Sequence, residues 1–260
     1  MFFFGRRRRG KLLATPLDPG RRTLLHRVAP LCARLRGELA ARHEGVVNVL
    51  LAEKNFETAE GLVLTDEMRL AVAGQAALLQ LHEGAEYYPG LASIILYPES
   101  FTVRHERWGD DGLVHEEPDD LSGESWAQGT VVLAWSDVRH EARKRDGYNV
   151  VLHEFAHQLD DRTGEANGTP LLRDAASLGA WHAAFEEAFG AHRRLLRRDR
   201  HLLFDKNAAE SPAEFFATAV ELFFEFPAEL AETYPAVFAC LAGWLELDPR
   251  KPHMERGGAS

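Results

Sequence analysis

The stretch Val150-Val-Leu-His-Glu-Phe-Ala-His-Gln-Leu-Asp160 decides which fold and which chemistry we expect of this chain. His153 and His157 are four residues apart, so on an α-helix their side chains lie on one face, one turn from each other. Two imidazoles in this arrangement can bind one zinc ion and leave positions for a third ligand and a water molecule. Glu154 projects beside the pair and can accept a proton from that water. The stretch therefore predicts a metal-binding helix that carries its own acid–base group.

The residues around the motif bear on two interpretations of it. Apart from its polar groups the stretch is apolar, which indicates a nearly fully buried helix. One interpretation is a helix with two hydrogen-bonded histidines in the core, because the five-residue pattern alone is only suggestive. Polar groups in a buried helix are costly unless they have partners, and a metal ion is a suitable partner. The helical context therefore favours a metal site.

The length and composition are those of a soluble globular protein. The 260 residues are 45% hydrophobic and 27% charged, which suits one sizeable domain or two small ones. Cys32 and Cys240 cannot build a disulfide framework or a cysteine-rich zinc site, so we interpret them as reduced, buried thiols of a cytoplasmic protein. No stretch approaches the ~20 apolar residues of a membrane span. In residues 1–9 the charges follow the apolar residues, unlike in a secretory signal.

The net charge of −10 is unevenly distributed. Residues 1–42 contain eleven Lys and Arg against two acidic residues, a local charge of +9, so the rest of the chain is strongly acidic. An acidic body disfavours general nucleic-acid binding. We interpret residues 1–22 as a basic, poorly ordered arm, residues 23–248 as a single catalytic domain with a helical N-terminal part, and residues 249–260 as a loose tail.

Periodicity and capping residues predict several helices and two clear strands. The strands are at 93–98 and 130–135, and the charged, Gly-rich segment 105–128 between them is interpreted as a long polar loop. Helices are expected at 23–41 with a boundary at Pro30, at 65–81, 150–160, 178–200, 211–226 and 235–247. Thr65, Asn149 and Ser211 are the expected N-caps. Helices with a few strands, without regular βα alternation, predict an α+β fold.

A catalytic zinc usually has three protein ligands, so a third ligand must come from elsewhere in the chain. The helix at 211–226 places Glu214, Glu221 and Glu225 on roughly one face. Glu214 can instead close a capping box with Ser211, and the local sequence leaves both roles open. Other acidic residues, namely Glu210, Glu221 and Asp160, remain as competing ligands or as acceptors for imidazole N–H groups.

Several separated motifs, in the same order, resemble the Mlc titration factor A (MtfA) family of zinc peptidases over roughly residues 45–245. They are Phe56, Gly61–Met68, Ile94–Pro98, Val132–Trp135, Gly147–Asp160 and Pro212–Ala217. The resemblance implies a zincin-type metallopeptidase fold, mostly helical with a small sheet and similar to the catalytic domain of anthrax lethal factor. It also implies one Zn²⁺ per chain, held by His153, His157 and Glu214, with Glu154 as the general base.

The same resemblance implies peptidase activity, with aminopeptidase action as one form of it, on short peptide substrates in the cytoplasm. It further implies a regulatory partner, because the namesake of the family binds Mlc, a repressor of sugar uptake. The rival interpretation is a weakly active or inactive zinc-stabilised protein that sequesters such a repressor.

One position departs from the family pattern. Seven residues before the glutamate ligand the family commonly has a tyrosine that can hydrogen-bond the developing oxyanion, whereas this chain has Asn207. An asparagine can donate through its amide but has no phenolic proton, and loss of an oxyanion donor costs on the order of 10²–10³ in turnover. We therefore expect either a slow enzyme or a substitute tyrosine, for which Tyr148 is a candidate. A packing role for Tyr148 is the alternative.

Overall fold

The computed structural model describes residues 2–82, 84–99, 101–108, 114–121, 123–126, 129–198, 202–251 and 255–256; of 2–6, 101–126 and 255–256 it describes the backbone only. Ten α-helices lie in these ranges: α1 (Phe2–Ala14), α2 (Pro19–Val28), α3 (Gly37–Glu53), α4 (Asp66–Leu78), α5 (Trp135–Glu141), α6 (Val150–Asp160), α7 (Ala175–Leu196), α8 (Pro212–Glu225), α9 (Pro227–Thr233) and α10 (Pro235–Leu245). Short 3₁₀ turns are at Pro30–Arg34, Asp161–Thr163 and Asn207–Ala209.

The strands are β1 (Asn55–Thr58), β2 (Ser93–Tyr97), β3 (Phe101–Trp108), β4 (Val114–Leu121), β5 (Gly123–Trp126), β6 (Thr130–Ala134), β7 (Leu247–Asp248) and β8 (Glu255–Arg256). A four-stranded sheet has the order β1-β2-β6-β5. Its first three strands are parallel, with Ser93 opposite both Asn55 and Thr130, and β5 runs antiparallel to β6. Strands β3 and β4 form an antiparallel pair, as do β7 and β8. The predicted α+β class and the strands at 93–98 and 130–135 are confirmed.

The long polar loop expected at 105–128 is wrong for the described part of that segment. Strands β3, β4 and β5 fall within or overlap it, and residues 109–113, 122, 127 and 128 lie outside the described residues. Backbone hydrogen bonds define these strands. The charged sequence lacks the apolar alternation from which a strand can be predicted. The segment thus contributes to the antiparallel pair β3–β4 and contains β5, which is an edge strand of the four-stranded sheet and lies beside α6.

The structure also corrects the expectation of a poorly ordered arm at residues 1–22. Helix α1 packs against α3, Leu12 and Leu13 are partly buried against the core, and Leu17 is buried. Arg9 forms an ion pair with Glu53 at 2.6 Å. These partners lie far along the sequence, so a local count of like charges could not reveal them.

Glycine at position 45 allows α1 to approach α3 closely. A Cβ atom built on Gly45 would lie 2.3 Å from the backbone oxygen of Leu13, a distance that real Cβ atoms do not show. Gly243, in contrast, is exposed in helix α10 and a Cβ there would meet nothing within 4 Å.

We expect Gly45→Ala to destabilise the protein and Gly243→Ala to stabilise it. The first variant must push α1 away, and overpacking of this kind costs about 1–3 kcal/mol. The second gains up to about 1 kcal/mol because alanine favours a helix over glycine. Chemical denaturation of both variants measures the two changes in unfolding free energy. Equal stabilisation by both substitutions would show that α1 does not pack at Gly45.

Only part of the tail predicted for residues 249–260 is described. Arg34 donates to the carbonyl oxygens of Pro249 and Lys251, and β8 pairs with β7. Residues 252–254 and 257–260 lie outside the described residues, so their predicted looseness stays a prediction.

The metal-motif helix α6 is surrounded on several sides. It packs against α8, α4, β5 and β6. Its apolar positions are buried, and Phe155 packs edge-on against Tyr88 with ring centroids 4.9 Å apart. No helix in the described ranges is both long and apolar enough to cross a bilayer.

Candidate metal centre

Helix α6 begins where the sequence predicted and presents its two histidines on one face. Asn149 is the N-cap, and its Oδ1 accepts from the backbone N–H of Leu152 at 3.1 Å. His153 and His157 lie one turn apart with ring centroids 4.9 Å from each other. Their Nε2 atoms are 3.2 Å apart. Both imidazoles therefore point to one place.

Helix α8 brings Glu214 to the same place. Ser211 is the N-cap, and its Oγ accepts from the backbone N–H of Glu214 at 3.1 Å. The carboxylate of Glu214 turns toward α6, where Oε2 lies 3.2 Å from His153 Nε2 and Oε1 lies 3.1 Å from His157 Nε2. Ser211 therefore caps the helix by its own side chain, and the carboxylate of Glu214 faces both imidazoles.

The three side chains fit a divalent metal ion. His153, His157 and Glu214 each offer one ligand atom, and these atoms lie within 4.8 Å of one another. Metal–ligand bonds of 2.0–2.1 Å in a tetrahedron place neighbouring ligand atoms roughly 3.3 Å apart. The contacts of 3.1–3.2 Å among Nε2 and carboxylate oxygens are close to that edge.

The electrostatics of the cluster formed by His153, His157 and Glu214 favour a cation between their ligand atoms. Burial opposes ionisation of Glu214, but its hydrogen bonds with His153 and His157 outweigh burial and hold the pKa of this carboxyl well below its usual range. Burial also acts to lower the pKa of His153, but the charge of Glu221 and hydrogen bonds with Glu214 and Glu221 raise it well above its ordinary value. A metal ion and a proton compete for the same imidazole lone pair, so a site that attracts one attracts the other.

Glu154 follows His153 directly and is 5% exposed. Its Oε2 is buried and has no hydrogen-bond partner among the described residues. Burial raises the pKa of Glu154 to about 7. A carboxylate that titrates near neutrality, with one oxygen unused, is suited to accept and return a proton.

The three competing acids have different surroundings. The Glu221 carboxyl oxygen Oε1 lies 2.7 Å from His153 Nδ1, within hydrogen-bond distance. Asp160 is fully buried and accepts from the backbone N–H groups of Gly168 and Thr169 at 2.7 and 2.8 Å, so it organises the loop after α6. Glu210 is exposed. Of these three, Glu221 is thus the acid that the structure places against an imidazole.

Within the part of the chain that the structure describes, neither Asn207 nor Tyr148 forms a hydrogen bond or ion pair with His153, His157 or Glu214. Asn207 is exposed at the start of the 3₁₀ turn that precedes α8, and its role as an oxyanion contact stays a prediction. Tyr148 is 49% exposed and immediately precedes the N-cap of α6. Partial burial and the nearby acids Asp205 and Glu221 raise its pKa, so the phenol keeps its proton.

Sequence reasoning missed several contacts of buried or partly buried polar groups at the start of α6. Glu141 accepts from the backbone N–H of Val150 at 2.5 Å, and Gln75 accepts from Asn149 Nδ2 at 2.7 Å. Glu225, 2% exposed, lies 3.5 Å from the same Asn149 amide. These partners come from α4, α5 and α8, and no local pattern in the sequence signals such a meeting.

Two packed helices that bring two imidazoles and a carboxylate together, with a buried glutamate next in sequence, are the arrangement of a metallopeptidase centre. Comparison with known families agrees: the family described as Glucose-regulated metallo-peptidase M90 matches residues 3–244. The chain belongs to this family.

Curated relatives point the same way. The Mlc titration factor A of Serratia proteamaculans is 39% identical over 212 residues, which are 78% of each chain, and that of Edwardsiella ictaluri is 37% identical over 85% of each chain. An uncharacterized protein of Synechocystis is 34% identical over 93% of this chain and 89% of its own. The resemblance to the Mlc titration factor A family is confirmed.

Proposed function

We propose that this chain is a zinc-dependent peptidase, with His153, His157 and Glu214 as the metal ligands. The observation that carries the proposal is the convergence of one nitrogen or oxygen atom from each of these side chains at spacings suited to a tetrahedral ion. Two nitrogens and one carboxylate oxygen form a standard set for catalytic zinc. Family membership supports the peptidase class.

Zinc, when bound, would supply a Lewis acid and lower the pKa of a bound water toward ~7. Glu154 accepts the proton of the attacking water through its unused Oε2 and returns it to the leaving amine. Burial keeps the Glu154 carboxylate away from bulk solvent. Asn207 or Tyr148 is the proposed oxyanion donor.

An extended peptide has a natural place to bind beside α6. Strand β5 is the end strand of the four-stranded sheet, and it lies next to the metal-motif helix. An edge strand offers backbone N–H and C=O groups that can pair with an added strand. We propose that the substrate pairs with β5 in this way and so presents its peptide bond to the cluster. Short substrates and aminopeptidase action remain part of the proposal.

A second candidate function is sequestration of a transcriptional repressor of the Mlc type. The relatives named Mlc titration factor A and the presence of Asn207 in place of a tyrosine favour it. We further propose a single catalytic domain of the zincin type, similar to that of anthrax lethal factor, in a cytoplasmic protein. Capture of the repressor by a hydrolytically dead variant would separate binding from catalysis.

Metal removal tests the leading proposal. We expect the purified chain to contain one zinc, to lose hydrolysis of aminoacyl and short peptide substrates after chelation, and to regain it with Zn²⁺ but not with Mg²⁺. Magnesium is the control because it prefers oxygen ligands in octahedral geometry. Elemental analysis and turnover before and after chelation give the result. A zinc-loaded chain with no hydrolysis across the panel would favour the second function, and equal activity without metal would reject the first.

A further inference from the structure

The ring of His153 is held at both of its nitrogen atoms by the same helix. Its Nε2 lies 3.2 Å from Glu214 Oε2, and its Nδ1 lies 2.7 Å from Glu221 Oε1, within hydrogen-bond distance. Glu214 and Glu221 are seven residues apart on α8, two helical turns, so they share one face. Two acidic side chains on one face of α8 therefore contact the two ring nitrogens of a single imidazole.

Glu221 is also attached to the start of α6. Its second oxygen, Oε2, accepts from the backbone N–H of Asn149 at 2.5 Å. Asn149 in turn caps α6 through its Oδ1 and donates its side-chain amide to Gln75 on α4 at 2.7 Å. Glu221 is only 5% exposed, so water does not replace these partners readily. The Glu221 carboxyl group thus contacts both the ring of His153 and the backbone N–H of Asn149, the N-cap of α6.

We propose that Glu221 is a positioning residue that sets the orientation and tautomer of His153. A neutral imidazole with its proton on Nδ1 has its lone pair on Nε2, the atom that faces Glu214 and His157. A carboxylate at Nδ1 fixes that state and increases the basicity of the ligand. This inference rests on the proposed function, because it assumes that His153 Nε2 binds the metal.

Glu225 offers a matched control on the same helix. It lies one turn after Glu221, is also buried, at 2% exposure, and approaches the Asn149 side chain at 3.5 Å. No contact between Glu225 and either imidazole is recorded among the described side chains. Replacing either acid by glutamine removes a buried carboxyl group near Asn149, but only the replacement of Glu221 changes a partner of His153.

We expect Glu221→Gln to weaken zinc affinity by about 10–100-fold, the usual loss when a histidine ligand loses its outer partner. The glutamine amide has one acceptor oxygen, so it cannot serve both His153 Nδ1 and the Asn149 N–H. Glu225→Gln should keep close to the wild-type affinity. Competition with a chromophoric chelator measures affinity, and the visible absorption of the Co²⁺-loaded proteins reports the ligand geometry, which should change in the first variant alone. Chemical denaturation of the metal-free proteins shows whether both variants fold.

The outcomes separate this inference from the proposed function. A wild-type chain that binds no zinc contradicts the proposed function and, with it, the inference. A zinc-binding wild type with unchanged affinity in Glu221→Gln, or with equal losses in both variants, overturns the inference alone. If Glu221→Gln fails to fold, the zinc-loaded wild type provides the test. Its His153 Nδ1 proton should appear as a slowly exchanging, low-field resonance in the ¹H–¹⁵N NMR spectrum, and absence of that proton would overturn the inference.

Discussion

Glu154→Gln is expected to abolish most of the hydrolysis while leaving zinc binding intact. The amide keeps the size of the carboxylate but cannot accept a proton, and the loss of a general base costs about 10²–10⁴-fold in turnover. Zinc content should not change, because the cluster is formed by His153, His157 and Glu214 and does not include Glu154. Steady-state kinetics on the best substrate of a peptide panel, together with elemental analysis, measures both quantities.

The matched control is Glu232→Gln, the same chemical change at an exposed position of α9. It should leave both turnover and zinc content at their wild-type values. Wild-type turnover in Glu154→Gln would refute the assignment of Glu154 as the general base. Loss of zinc together with activity would instead mean that Glu154 supports the metal and that the kinetic effect is indirect.

Glu214→Ala should remove the metal, whereas Ser211→Ala should only weaken the helix. Without the Glu214 carboxylate only two imidazoles remain as ligands. We therefore expect zinc affinity to fall by more than the 10–100-fold that is lost when only the hydrogen-bond partner of a ligand is removed. Ser211 contributes through its hydrogen bond to the Glu214 N–H, and loss of an N-cap costs about 1 kcal/mol of stability. Chelator competition and chemical denaturation distinguish the two effects.

These two variants separate the roles that the local sequence left open. If Glu214 served mainly as a partner in a capping box, both substitutions would destabilise the protein by similar amounts and both would retain zinc. The contacts of Glu214 Oε1 and Oε2 with His157 and His153 lead us to expect the opposite pattern.

Local signals in the sequence were sufficient to predict the helices that carry the cluster. The apolar positions around the two histidines define α6, and the residues Asn149 and Ser211 mark the starts of α6 and α8. The strands β2 and β6 are short apolar runs, which periodicity detects. These features depend on neighbours within a few residues, so a single sequence contains them.

Features that depend on distant partners could not be predicted in the same way. Helix α1 is held by the pairing of Arg9 with Glu53 and by the absence of a side chain at Gly45. The sequence alone also left the carboxylate of Glu214 undecided between a cap and an imidazole, because the deciding partners lie on α6. The meeting of Gln75, Asn149 and Glu221 joins three helices, and no spacing rule relates them.

The close packing of α1 on α3 has a practical consequence for shortened versions of the chain. Composition alone suggests a catalytic domain that starts at residue 23. A version of the chain cut there would lack α1, which packs against α3 at Gly45, and would leave Glu53 without its ion-pair partner Arg9. It would also expose the apolar surface that Leu13 and Leu17 cover. Affinity tags for crystallisation or assay are therefore better placed before the first helix, and truncations should leave that helix intact.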